Sequence, residues 1–148
     1  MKETVLVADD EKALRESLAA VLRENCFEVL TVDGGDKACE HFEDYDIDVA
    51  LVDMRMPGKN GLEVLETARE ISPRTQIIII TAFGSVESAV EAVKKGANDY
   101  VAKPLVLDDI LLKVQRLLHF RRLSDENRFL HTELGDCYSA EGIVGTSN

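Results

Sequence analysis

Five side chains hold most of the chemistry available to this sequence: the adjacent pair Asp9 and Asp10, then Asp53, Thr81 and Lys103. Each follows a short apolar run. Thr4-Val5-Leu6-Val7-Ala8 leads into the Asp pair, Asp48 to Val52 into Asp53, Gln76 to Ile80 into Thr81, and Asp99 to Ala102 into Lys103. Three carboxylates in one pocket repel one another, and a hard divalent cation removes the repulsion. Oxygen-only ligands suit magnesium (Mg2+), which keeps positions open for water and a phosphate oxygen. A cation held there shields the approach of a phosphoryl group to Asp53. Lys103 and the Thr81 hydroxyl then supply a point charge and a donor to the remaining phosphoryl oxygens. This is phosphoryl transfer by positioning and charge neutralisation.

For these side chains to meet, the runs that precede them must be neighbouring strands. Between the runs lie amphipathic stretches. Leu14, Leu18, Val21 and Leu22 sit at helical spacing within residues 11–25, residues 35–43 make a short helix, and Gly61 to Ile71 is helical with Leu62, Leu65 and Ile71 inward. Val86, Ala89, Val90 and Val93 form another helix face, closed by Lys94-Lys95-Gly96 with cations in the last turn and glycine at the stop. Phe27 to Val32 is a further strand, and a long helix starts near Leu107. Four consecutive isoleucines, 77–80, mark a strand buried on both faces. Five strands interleaved with helices imply βαβ crossovers and a parallel sheet covered on both sides. The expected fold is α/β, a flavodoxin-like doubly wound five-stranded parallel sheet with an extended C-terminal helix. In such a sheet, ligands bind beyond the carboxyl ends of the strands, near the point where strand order reverses. With the order 2-1-3-4-5, the first and third strands are adjacent and the five side chains share one rim.

The chain has 148 residues, room for one domain and a tail, and 45% apolar content is enough for a packed core. Its 17 Lys and Arg against 28 Asp and Glu leave a net charge of -11, which argues against direct nucleic-acid contact by this segment. Cys26, Cys39 and Cys137 form no Cys-x-x-Cys pair and suggest free thiols, as in a reducing compartment. No signal peptide and no apolar run of membrane-spanning length stand in the sequence, so a cytoplasmic location is expected.

Four strings in order, Val5-Leu6-Val7-Ala8-Asp9-Asp10-Glu11, Leu51-Val52-Asp53-Met54-Arg55-Met56-Pro57-Gly58, Ile80-Thr81-Ala82 and Gly96-Ala97-Asn98-Asp99-Tyr100-Val101-Ala102-Lys103-Pro104, resemble the receiver domain of two-component response regulators, over roughly residues 3–120. The resemblance implies a switch that accepts phosphate from a sensor histidine kinase. It makes Asp53 the phosphoacceptor, Asp10 a direct magnesium ligand, Asp9 a helper through water, and the Arg55 backbone carbonyl the third protein ligand. Thr81, the Ala82 backbone N–H and Lys103 would contact the phosphoryl group. Thr81 and Tyr100 would be the switch pair, and a cis bond before Pro104 would aim Lys103 inward. The string Gly142-Ile143-Val144-Gly145-Thr146-Ser147 is similar to the opening of the ATPase domain of sigma-54-dependent transcription activators. That similarity divides the chain into a receiver (1–119), a helical linker (120–135) and the start of an ATPase domain (136–148). It also implies ATPase and DNA-binding domains in the full-length protein.

Two other classes compete. A metal-dependent phosphatase with an aspartyl nucleophile needs a general acid or base, typically a second Asp two residues on, and that position is Arg55. A stand-alone dimerisation module would have no need of an acidic rim. Dimerisation is nonetheless expected. After residue 119 the helical pattern narrows to Phe120, Leu123, Asn127, Leu130 and Leu134, spaced three, four, three, four, which is a coiled-coil seam with Asn127 at an a position.

Overall fold

The computed structural model describes residues 3–82 and 86–126, with side chains for all of these except Val86, Ser88 and residues 120–126. Strands and helices alternate: β1 (Thr4–Ala8), α1 (Lys12–Glu24), β2 (Glu28–Val32), α2 (Gly35–Asp44), β3 (Val49–Asp53), α3 (Gly61–Ile71), β4 (Gln76–Thr81), α4 (Val86–Lys94), β5 (Asp99–Ala102) and α5 (Leu107–Glu126). The five strands form one sheet in the order β2-β1-β3-β4-β5, and every pairing is parallel. Strand order therefore reverses between β1 and β3, and the crevice above that pair is where this class of sheet binds ligands.

Alternation along the strands builds two cores. Val5, Val7, Val49, Leu51, Ile78 and Ile80 pack with Leu18 and Leu22 of α1 and with Ile110, Val114 and Leu118 of α5. Leu6, Ala8, Ala50, Val52, Ile77 and Ile79 pack on the other face with residues of α2, α3 and α4, among them Phe42, Leu65 and Ala92. The four isoleucines of β4 are fully buried. Side chains of that size each gain about 1.5–3 kcal/mol on complete burial, which is why β4 takes the centre of one half of the sheet.

Two helix faces differ from the pattern expected of them. Among the described side chains of α4, Ala89 and Ala92 are buried, while Val90 and Val93 are each 48% exposed. Alanines let the helix approach the sheet closely, and the larger valines are left on its outer flank. On α3, Val64, Leu65 and Ala68 are buried and Ile71, at the last turn, is 38% exposed. Cys39 is a buried free thiol, in line with the free-thiol expectation. Among the described residues no helix is long and apolar enough to cross a membrane.

Candidate phosphoacceptor and metal site

Asp53 is the last residue of β3 and Thr81 the last of β4, one position further into the sheet than the apolar runs suggest. Asp53 continues the alternation of Val49 and Leu51, which face α1 and α5. Its backbone is pinned from the far side. A Cβ at Gly61 would lie 2.8 Å from the Asp53 carbonyl oxygen and 2.8 Å from Met54 Cα, so only glycine lets α3 begin so close to the strand end. Gly61 N–H donates to the Met54 carbonyl at 2.9 Å, and Asn60 and Glu63 close a reciprocal capping box that starts α3 there.

Three carboxylates converge above the β1–β3 junction. Asp9, Asp10 and Asp53 each offer an oxygen within 4.8 Å of the others; Asp9 and Asp53 are buried and Asp10 is exposed. Asp9 Oδ1 accepts the Glu11 N–H at 2.8 Å. Asp9 Oδ2 is buried and has no hydrogen-bond partner. The Lys103 ammonium stands 3.9 Å from it, beyond hydrogen-bond reach. Asp53 Oδ1 accepts the Arg55 N–H at 3.2 Å, and Asp53 Oδ2 accepts Lys103 Nζ at 3.1 Å.

The electrostatics follow from this crowding. Burial raises the Asp9 carboxyl and outweighs the lowering by the Glu11 N–H. With the nearby Asp53 also raising it, the pKa is pushed up to about 6 from the ordinary 3.8. Burial opposes the charge on Lys103, but the hydrogen bond and charge of Asp53, backed by Asp9 and Glu11, prevail and hold its pKa above the ordinary lysine value. The Lys103–Pro104 peptide bond is cis, and Lys103 N–H donates to the Thr81 carbonyl at 2.9 Å. The Thr81 side chain is buried, and its hydroxyl donates to the Val101 carbonyl at 3.3 Å. Tyr100, on β5, is 43% exposed. Ala82 is half-buried and the Arg55 side chain is exposed.

The buried, unpartnered Asp9 oxygen thus lies beside two further carboxylates. An all-oxygen donor set of this kind fits a hard divalent cation. The profile of the response regulator receiver domain matches residues 5–115. This chain belongs to the response regulator receiver family. The regulatory protein AtoC of Escherichia coli (strain K12) is 40% identical over 143 residues, which are 97% of this receiver chain and 31% of that protein. A cyclic di-GMP phosphodiesterase of Thermotoga maritima is 34% identical over 118 residues, 80% of this chain and 32% of that protein. A crystal structure of NtrX from Brucella abortus in complex with ATP superposes with a TM-score of 0.80 at 29% identity, covering 90% of this chain and 31% of that one. The chain thus spans about a third of the length of these two relatives, AtoC and the phosphodiesterase.

Of the residues singled out from the sequence, Asp9, Asp10, Asp53 and Lys103 meet in this receiver, and Arg55 joins them through its backbone N–H. Thr81 lies at the same rim but is turned to β5. Phe120 and Leu123 fall on α5 beyond its described side chains, and Asn127, Leu130 and Leu134 lie outside the described residues. One contact went unforeseen: Glu11 Oε1 lies 3.6 Å from Lys103 Nζ. The sequence shows a third acid directly after the Asp pair, but not the direction of its side chain.

Proposed function

We propose that this receiver is a phosphorylation switch in which Asp53 accepts a phosphoryl group from a sensor histidine kinase beside a bound Mg2+ ion. The observation that carries the reading is Asp9 Oδ2, buried without a partner next to Asp53 and Lys103. Asp10, Asp53, the Arg55 carbonyl and Asp9, the last through water, would hold the ion. When bound, the ion neutralises the carboxylates and offers a position to a phosphoryl oxygen. The chain's own groups do the rest. An Asp53 carboxylate oxygen forms the new bond to phosphorus, and the bond from phosphorus to the donor breaks, the leaving group departing with its electron pair. Lys103 places its ammonium on a phosphoryl oxygen, and the Thr81 hydroxyl and Ala82 N–H donate to the others. Thr81 gives up its bond to Val101 in doing so, and Tyr100 turns inward into the space released. The face of α4, β5 and α5 then repacks, driven by charge-assisted bonds made only in the phosphorylated state. Arg55 stands where a turning-over phosphatase needs a second Asp, so the acyl phosphate persists as a signal.

The output side follows the AtoC likeness, which runs through nearly the whole chain rather than stopping with the receiver. It supports a receiver over 1–119, a helical linker over 120–135 and the opening of an ATPase domain over 136–148. The whole is a cytoplasmic sigma-54-dependent transcription activator with ATPase and DNA-binding domains beyond this segment. The ATP complex of NtrX is consistent with the same architecture.

The test is intact mass after incubation with acetyl phosphate. With magnesium, the parent gains one base-labile phosphoryl group; with chelator it gains none, and Asp53→Asn gains none in either condition. Labelling of Asp53→Asn as full as that of the parent removes Asp53 from the role.

A further inference from the structure

Lys103 is shared among three carboxylates from two segments, the β1–α1 connection and the end of β3. Its Nζ is 3.1 Å from Asp53 Oδ2, 3.6 Å from Glu11 Oε1 and 3.9 Å from Asp9 Oδ2. Asp53 and Asp9 are among the proposed ligands of the ion, whereas the Glu11 side chain is not. Glu11 occupies the N-cap position of α1, where a side-chain acceptor ordinarily bonds a free N–H of the first turn, yet it makes no capping bond. Its carboxylate is directed instead to the lysine that follows β5, across the sheet. Its backbone N–H meanwhile donates to Asp9 Oδ1 at 2.8 Å. Glu11 thus holds Asp9 with its main chain and Lys103 with its side chain. The second contact can be removed without touching the first.

We infer that Glu11 is a positioning residue, an alternative partner that draws the Lys103 ammonium off Asp53 when a divalent cation takes the carboxylates. The inference rests on the cation site proposed above. A dication and an ammonium compete for the same oxygens of Asp53 and Asp9, and like charges at that spacing repel. Binding of the ion therefore costs the displacement of Lys103, and the cost is smaller when a fourth carboxylate waits on the outer side. Glu11 is largely exposed, with its carboxylate in reach of the lysine and outside the carboxylate trio. Solvent weakens the pair, so the effect is of the size of an exposed ion pair.

A double-mutant cycle separates this role from a general loss of negative charge. Magnesium affinity is measured by calorimetric titration for the parent, Glu11→Gln, Lys103→Met and the double variant. Glu11→Gln is expected to weaken magnesium binding about threefold when Lys103 is present, and to change it little when Lys103 is replaced by methionine. Glu11→Asp, which keeps the charge, is expected to recover part of the loss. The same cation-induced shift of the Lys103 side-chain NMR signals in parent and Glu11→Gln would overturn the inference, as would an equal weakening in both lysine backgrounds. A parent that takes up no magnesium at all would sink the cation site itself, which is a separate outcome from a parent that binds the ion with no dependence on Glu11.

Discussion

At the Asp9 carboxylate, one oxygen is held by the Glu11 N–H and the other is sealed from solvent with nothing to bond. That imbalance has a pH signature. Its folded-state pKa of about 6 lies above the ordinary 3.8, so folding favours the protonated form. The associated stability is fully present below the unfolded pKa and is lost as pH rises through the folded one. In metal-free buffer, the loss between pH 4 and 7 amounts to roughly 2–3 kcal/mol for a shift of this size. Asp9→Asn removes the titration. Urea unfolding in chelator should therefore find the variant more stable than the parent at pH 7, with the advantage vanishing near pH 4. A difference between the two that stays flat across this range would show that Asp9 ionises freely. The carboxylate trio itself was legible in the sequence because chemistry concentrates at strand ends, and residue type plus position gives those ends away. The Glu11 contact was not, because a pairing with Lys103 across the sheet depends on a side-chain direction that no local pattern encodes.

The elements that carry this rim are fastened at the opposite end of the sheet by one arginine. Arg69, on α3, donates through Nε and Nη2 to the Gly96 carbonyl at 3.0 and 2.8 Å, and through Nη1 to the Pro73 and Thr75 carbonyls at 3.1 and 2.8 Å. Nη2 also reaches Asn98 Oδ1 at 2.8 Å, an atom that accepts the first N–H of β4's buried run, Ile77, as well. The planar guanidinium thus joins the end of α3, the turn into β4 and the turn between α4 and β5. Gly96 has a φ of +113°, and a Cβ there would stand 3.2 Å from Arg69 Nε, so a side chain would meet the guanidinium. Arg69→Met should lower the unfolding free energy by about 2 kcal/mol, since several acceptors lose a charged donor while water replaces part of the loss. Arg69→Lys should recover little, because an ammonium cannot reproduce the fork. Denaturant midpoints decide it, and a lysine variant as stable as the parent would deny the geometry its importance. Arg69 did not stand out in the sequence, where it reads as one more polar residue of an amphipathic helix. The faces of α3 and α4 blurred for a related reason. Hydrophobicity alone placed Ile71, Val90 and Val93 inward, whereas close helix–sheet approach selected the small Ala68, Ala89 and Ala92. The parallel sheet was readable from apolar runs separated by helices, whereas its order went with the receiver resemblance and not with the runs themselves.

At the scale of the whole molecule, the described side chains of α5 present one packed face. The first half of the helix buries Ile110, Val114 and Leu118 against the sheet and α1, with Leu117 partly covered beside them. That contact consumes the wide apolar face the sequence supplies up to residue 118. In the sequence alone, Phe120, Leu123, Asn127, Leu130 and Leu134 recur at heptad spacing, which we propose as a seam with the aromatic, the Asn and the last Leu at a and the other two leucines at d. A seam this narrow suits a second helix rather than a sheet, and an Asn at one a position favours a parallel, in-register pair at some cost in stability. A parallel pair sets two receivers side by side and aims both chains toward the same downstream assembly. Phosphorylation that repacks the α4, β5 and α5 face would then alter how the two receivers sit at the head of the seam. Sedimentation equilibrium should report a dimer for residues 1–148 and weaker association for residues 1–119. Asn127→Leu should tighten the dimer, since a buried polar pair at the seam becomes an apolar one, and should relax the preference for two strands, so that species larger than a dimer emerge. A monomer at tens of micromolar for the full chain, or an Asn127→Leu variant that associates no differently from the parent, would show that these leucines do not form the seam.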